Sequence, residues 1–129
     1  MNIATGRGAD FQSFERSKGL LIATSDTYNR VLFWAGSVST FMSALAVGSA
    51  PAAKYAVDFQ GFLMLMNTNA NKRRIAYADN NLITTDPWTN TFDLQSSFDD
   101  EITGAAILNK KLYVFTKYKV FRISYVGGN

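Results

Sequence analysis

Lys54-Tyr55-Ala56-Val57-Asp58-Phe59-Gln60-Gly61-Phe62-Leu63-Met64-Leu65-Met66, followed after a polar loop by Arg74-Ile75-Ala76-Tyr77, decides the fold class. It reads strand, two-residue turn, strand, polar turn, strand: short apolar runs are broken by Gln60-Gly61 and then by Asn67-Thr68-Asn69-Ala70-Asn71. The layout returns in Thr103-Gly104-Ala105-Ala106-Ile107-Leu108-Asn109-Lys110-Lys111-Leu112-Tyr113-Val114-Phe115, followed by Val120-Phe121-Arg122-Ile123. Leu20-Leu21-Ile22-Ala23-Thr24 with Arg30-Val31-Leu32-Phe33-Trp34 makes a third, partial copy. Anchored at Leu20, Leu63 and Leu112, the copies are offset by 43 and 49 residues. A period of roughly 40 to 50 residues is that of four-stranded propeller blades.

The sequence therefore predicts an all-β chain of antiparallel, propeller-blade-like repeats, about two to three in number, over 17-50, 51-98 and 99-129, after an N-terminal arm over 1-16. A sandwich or small barrel with hairpins of the same layout is the competing architecture. Thr91 to Leu94 is a weaker strand, and Val38 to Val47 reads as two turns of helix or a loop crossing a sheet edge. Propellers close with four to eight blades, so these repeats are expected to be incomplete or completed by partners.

Composition narrows the chemistry. At 129 residues, 47% hydrophobic and 14% aromatic, the chain is one domain able to bury a core. It has no cysteine and no histidine, which excludes disulfides, thiolate nucleophiles, thiolate metal sites, Ser-His-Asp triads and the commonest zinc ligand. The net charge of +3 is too small to demand nucleic acid. Met1 to Asp10 lacks the pattern of a signal peptide, and the apolar stretch Phe41 to Ala53 is too short to span a bilayer.

Each group that could carry chemistry has a plainer reading beside it. Asp99, Asp100 and Glu101 could offer calcium ligands, but no EF-hand spacing surrounds them, and they also suit the start of a strand. Asp79 through Trp88 is a faint Asp-box-like turn that lacks the expected glycine; Asp79 is better read as capping its own turn, and Trp88 as packing between blades. Lys72, Arg73 and Arg74, with Lys110, Lys111, Lys117, Lys119 and Arg122, are the basic features, on one rim if the repeat holds; Lys72, Arg73, Arg74, Lys110 and Lys111 are the candidates for contacts. Non-specific contact with DNA is their sharper use. Trp34, Trp88 and Tyr28 are the candidate aromatics for a carbohydrate-binding platform. Gly6-Arg7-Gly8 has neither the preceding strand nor the following Lys of a phosphate loop. Met64 and Met66 read as core filler.

Pro51 to Leu65, Arg74-Ile75-Ala76-Tyr77-Ala78-Asp79, Asp86-Pro87-Trp88, Asp100-Glu101-Ile102-Thr103-Gly104 and Lys111-Leu112-Tyr113-Val114-Phe115 together resemble bacteriophage virion proteins with a β-propeller. The resemblance covers about Leu20 to Tyr125. It implies a tail, nozzle or adaptor component in the virion, assembled in the host cytoplasm. Such a component would contact other virion proteins or copies of itself, with no catalysis and no cofactor. A free-standing module binding carbohydrate or protein is the alternative. A hydrolase using paired carboxylates is the remotest.

Overall fold

The computed structural model describes residues 11–17, 20–25, 31–34, 43–44 and 50–124. These form eleven strands: β1 (Phe11–Ser17), β2 (Leu20–Ser25), β3 (Leu32–Trp34), β4 (Ser43–Ala44), β5 (Ala53–Phe59), β6 (Phe62–Thr68), β7 (Arg74–Asp79), β8 (Asn90–Asp93), β9 (Ile102–Leu108), β10 (Lys111–Thr116) and β11 (Val120–Ile123). They make three antiparallel meanders, β1-β2-β3-β4, β5-β6-β7-β8 and β9-β10-β11, here called the first, second and third sheets. All-β architecture is what the strand runs predicted. No helix of the described residues is long and apolar enough to cross a membrane.

Three differences from the sequence reading have physical causes. β1 takes up Phe11–Ser17, so the segment read as an arm over 1-16 supplies a strand. Its Glu15-Arg16-Ser17 end has no apolar alternation, and backbone pairing with β2 holds it instead. Second, of the possible helix Val38 to Val47 only Ser43–Ala44 is described, as β4 paired with β3; the rest, like Tyr28, lies outside the described residues. Third, the register moves one anchor. The pairs Ser17↔Leu20, Phe59↔Phe62 and Leu108↔Lys111 close the three hairpins, which aligns Leu21, not Leu20, with Leu63 and Leu112. Because side chains alternate between faces, that one-residue shift exchanges the two faces of β2.

The second sheet lies between the other two. From one face it contributes Leu63, Leu65, Ala76 and Ala78 to a core with Ile22 and Val31, closed by Ile83 and Trp88. From the other it contributes Phe59, Met64, Met66 and Ile75 to a core with Ile102, Leu112 and Val114. Neighbours in sequence thus serve opposite cores, and β6 is buried at every position from Leu63 to Thr68. Such a strand reads as a continuous apolar run rather than an alternation. The first strands follow one another, β5 packing against β1 on one side and β9 on the other.

Polar bonds reinforce the stacking. Thr24 Oγ1 donates to the Lys54 carbonyl at 2.5 Å, and Glu15 Oε2 accepts the Asp58 N–H at 3.0 Å, tying the first sheet to the second. Asn67, fully buried with φ +60°, donates from Nδ2 to the Ile102 carbonyl at 2.9 Å, and the Ile102 N–H donates to the Lys72 carbonyl. These tie the second sheet to the third.

Two tight turns set the hairpin registers. Gln60 and Gly61 have φ of +51° and +85°, and Asn109 and Lys110 have +50° and +63°. Positive φ at both central residues marks the type I′ geometry that matches strand twist. A Cβ on Gly61 would meet nothing within 4 Å, so its cost is conformational rather than steric. Gly61→Ala should therefore lower stability by about 1 kcal/mol, and Lys110→Gly should raise it by a fraction of that. Urea unfolding of the two variants beside the parent measures both signs.

Candidate functional site

At one end of the second and third sheets three connections converge: the β6–β7 loop, the β8–β9 connection and the β10–β11 turn. They enclose a cleft of ≈ 530 Å³ lined by Asn71, Lys72, Arg73, Phe98, Asp99 and Lys117, among others. Phe98 stands at the cleft 95% exposed, far from the burial usual for an aromatic side chain.

The loops are held by their own side chains. Thr68 Oγ1 accepts the Asn71 N–H and donates to the Asn71 carbonyl; Thr116 makes the same pair of bonds with Lys119. Asn71 Oδ1 accepts the Arg73 N–H at 2.9 Å, while its Nδ2 donates to Asp93 at 3.3 Å. Arg73 Nη1 donates to the carbonyls of Leu94 and Ser96, at 3.0 and 3.2 Å, pinning the chain as it leaves β8. Arg74 grips Asp93 from the adjacent strand, Nε to Oδ1 at 2.8 Å and Nη2 to Oδ2 at 3.2 Å. That bidentate pairing lowers the Asp93 pKa and raises that of Arg74.

The acidic loop is built the same way. Asp100 is 1% exposed. Its Oδ2 accepts the Ser96 hydroxyl at 2.5 Å and its Oδ1 the Glu101 N–H at 2.8 Å. Burial opposes its ionisation, but hydrogen bonds, that from the Ser96 hydroxyl foremost and that from the Glu101 N–H among them, outweigh it and hold its pKa below the ordinary value. The Tyr118 hydroxyl donates to Asp99 Oδ2 at 2.9 Å, lowering the Asp99 pKa and raising that of the phenol. Glu101 lies 3.9 Å from Lys117 Nζ. Among the described residues there is no group of three or more His, Cys, Asp or Glu side chains placed to hold a metal ion. In the loop weighed for calcium, Asp100 gives both oxygens to protein donors, Asp99 accepts from Tyr118, and Glu101 faces Lys117.

The contact residues expected from sequence separate. Lys72 and Arg73 line the cleft, but Arg73 and Arg74 are committed to carbonyls and to Asp93. Lys110 and Lys111 sit at the β9–β10 hairpin, the opposite end of the third sheet, because turns on either side of one strand lie at its two ends. Of the same basic group, Lys117 lines the cleft and Lys119 reaches the Gln95 carbonyl, so the expected rim divides between the two ends of the third sheet. Asp79 Oδ1 accepts from the Asn81 N–H and side chain within its own turn. Trp88 is buried in the first core, its indole N–H donating to the Ile83 carbonyl, so it offers no surface to a ligand. Trp34 is half-buried in β3, paired with Leu21.

A second surface was not anticipated. On the third sheet, Leu112, Val114, Phe121 and Ile123 face the core shared with the second sheet, while Leu108, Tyr113, Phe115 and Val120 face away from it. Leu108 and Val120 are 60% and 62% exposed and Phe115 40%. The pairings Leu63↔Ala78 and Leu112↔Ile123 put these four in register with Phe59, Met64, Met66 and Ile75, the buried side of the second sheet. The signal was present in sequence: Ala105 to Leu108 and Leu112 to Phe115 are continuous apolar runs, the pattern of strands covered on both faces.

Asp100→Asn should cost on the order of 1–3 kcal/mol, the range for a hydrogen-bonded buried charge. A carboxylate whose folded pKa is depressed stabilises fully above its unfolded value of about 3.9 and loses that contribution as pH falls through the lower folded value. Acid titration of the thermal midpoint should show a loss below about pH 4 that is smaller in Asp100→Asn. Parallel curves for the two proteins would contradict the assignment. No family model, curated protein or solved structure matches the chain.

Proposed function

We propose that this chain is a non-catalytic structural component of a phage virion, a tail or connector protein that acts through contacts with other protein chains. Its three sheets are blade-like units of an incomplete propeller, and a neighbouring chain covers the outer face of the third. The virion assignment rests on the resemblance of Leu20 to Tyr125 to phage propeller proteins.

One observation carries the contact role. Leu108, Phe115 and Val120, exposed, with half-buried Tyr113, stand where the second sheet has the row by which it packs on the third. Several large apolar side chains exposed on one sheet face, here with Lys111 and Arg122 among them, mark an interaction site. Two further features support blades over a sandwich: each sheet is a meander, and each sheet's first strand packs on the first strand of the next. The convergent loops fit the same role, since Arg73, Arg74, Asp93 and Asp100 hold the connections together.

Native mass spectrometry and light scattering test this on the intact chain. The expected result is assembly above 14.3 kDa, abolished by Phe115→Lys with Val120→Lys while far-UV circular dichroism is retained. A monodisperse 14.3 kDa species whose β9–β11 segment resists proteolysis would sink the reading.

A further inference from the structure

β11 has β10 on one side and, among the described residues, no strand on the other, whereas its counterpart β7 is covered by β8. Sheet edges of this kind are templates for pairing with another chain. The register sets Val120 in correspondence with Ile75 and Lys119 with Arg74. In the second sheet those two positions are answered by Phe92 and by Asp93, the latter through its ion pair with Arg74.

Beside the open edge, between the second and third sheets, runs a groove of ≈ 390 Å³. Phe59, Phe62, Met64, Tyr77, Phe92 and Ile123 line most of it. Its aromatic wall is ordered edge to face: Phe62 and Tyr77 have centroids 5.8 Å apart at 87°, and Tyr77 and Phe92 6.0 Å apart at 61°. Phe121 and Ile123 lie on the β11 face that turns toward this space. A strand added to β11 would send the residues opposite these two into the groove, because directly opposed residues in a sheet share a face.

We propose that the β11 edge takes an extended segment of a partner protein by strand addition. The segment carries aliphatic side chains opposite Phe121 and Ile123, an aromatic one opposite Val120 and a carboxylate opposite Lys119. Backbone bonding along β11 supplies affinity, and the groove and Lys119 supply selectivity. Lys119 Nζ now lies 3.4 Å from the Gln95 carbonyl, a neutral acceptor that a carboxylate outcompetes. The inference rests on reading β9–β11 as an incomplete unit, and it names what completes its edge rather than its outer face.

The probe is a synthetic peptide of residues 88–95 carrying Thr89→Val and Thr91→Val. In antiparallel pairing its order places Asp93 against Lys119, Phe92 against Val120, and the two substituted positions against Phe121 and Ile123. Fluorescence anisotropy with the intact chain should show saturable binding, weakened about tenfold or more by Phe92→Lys in the protein. N-methylation at one alternating set of peptide amides should abolish binding, and methylation of the other set should leave it. No saturable binding in the millimolar range to a folded chain would overturn the proposal, as would equal tolerance of both methylated sets. Failure of the peptide on a chain that still assembles through Phe115 and Val120 would remove strand addition alone and leave the structural reading standing.

Discussion

The fold depends on burying one sheet from both sides. Every β6 residue from Leu63 to Thr68 is buried, and alternate side chains enter different cores, Leu63 and Leu65 the first, Met64 and Met66 the second. Complete burial of each such side chain contributes about 1.5–3 kcal/mol. The first and third sheets are each half of a core that the second completes. A lone hairpin or small sheet in water is marginal, so these strands gain stability chiefly by stacking. The same rule leaves the third sheet with an uncovered apolar row.

Stacking by apolar contact alone would leave the sheets free to slide, and polar bonds between them oppose that. The Asn67 amide on Ile102, the Thr24 hydroxyl on Lys54 and the Glu15 carboxylate on the Asp58 N–H each join one sheet's side chain to the next sheet's backbone. Where such a bond lies out of water, slipping leaves a donor or acceptor unpaired, at a cost greater than the bond's net contribution. At the loop end, Arg73, Arg74, Asp93 and Asp100 do the same for the connections. The most charged part of the chain is therefore also among its most internally bonded.

Charge adjacent along the chain is therefore not charge gathered in space. Lys72-Arg73-Arg74 looks like a patch because three cations adjoin, yet Arg74 meets a carboxylate 19 residues away and Arg73 meets carbonyls 21 and 23 residues away. Lys110 and Lys111 seemed to join them, but β10 runs between the two turns and carries them to opposite ends. The row of Leu108, Phe115 and Val120, with half-buried Tyr113 between, was visible in sequence only as apolar runs, because such a run does not show which of its faces are covered.

The sequence by itself determined the elements of the second and third sheets, though neither β1 nor β4: apolar runs of strand length, the punctuation at Gln60-Gly61 and Asn109-Lys110, and a repeated meander. These are local matters, governed by side-chain shape and by turns that accept positive φ. The absence of histidine and cysteine also bounded the chemistry without any coordinates. Tertiary structure alone decided the rest. Register, read from hydrogen-bonded pairs, moved the first anchor from Leu20 to Leu21 and so assigned the faces. Stacking order left Phe115 at the surface, although its strand is as apolar as the buried β6. The reason is that a strand's pattern records how many of its faces suit an apolar cover, while which cover arrives depends on contacts between residues far apart in the chain.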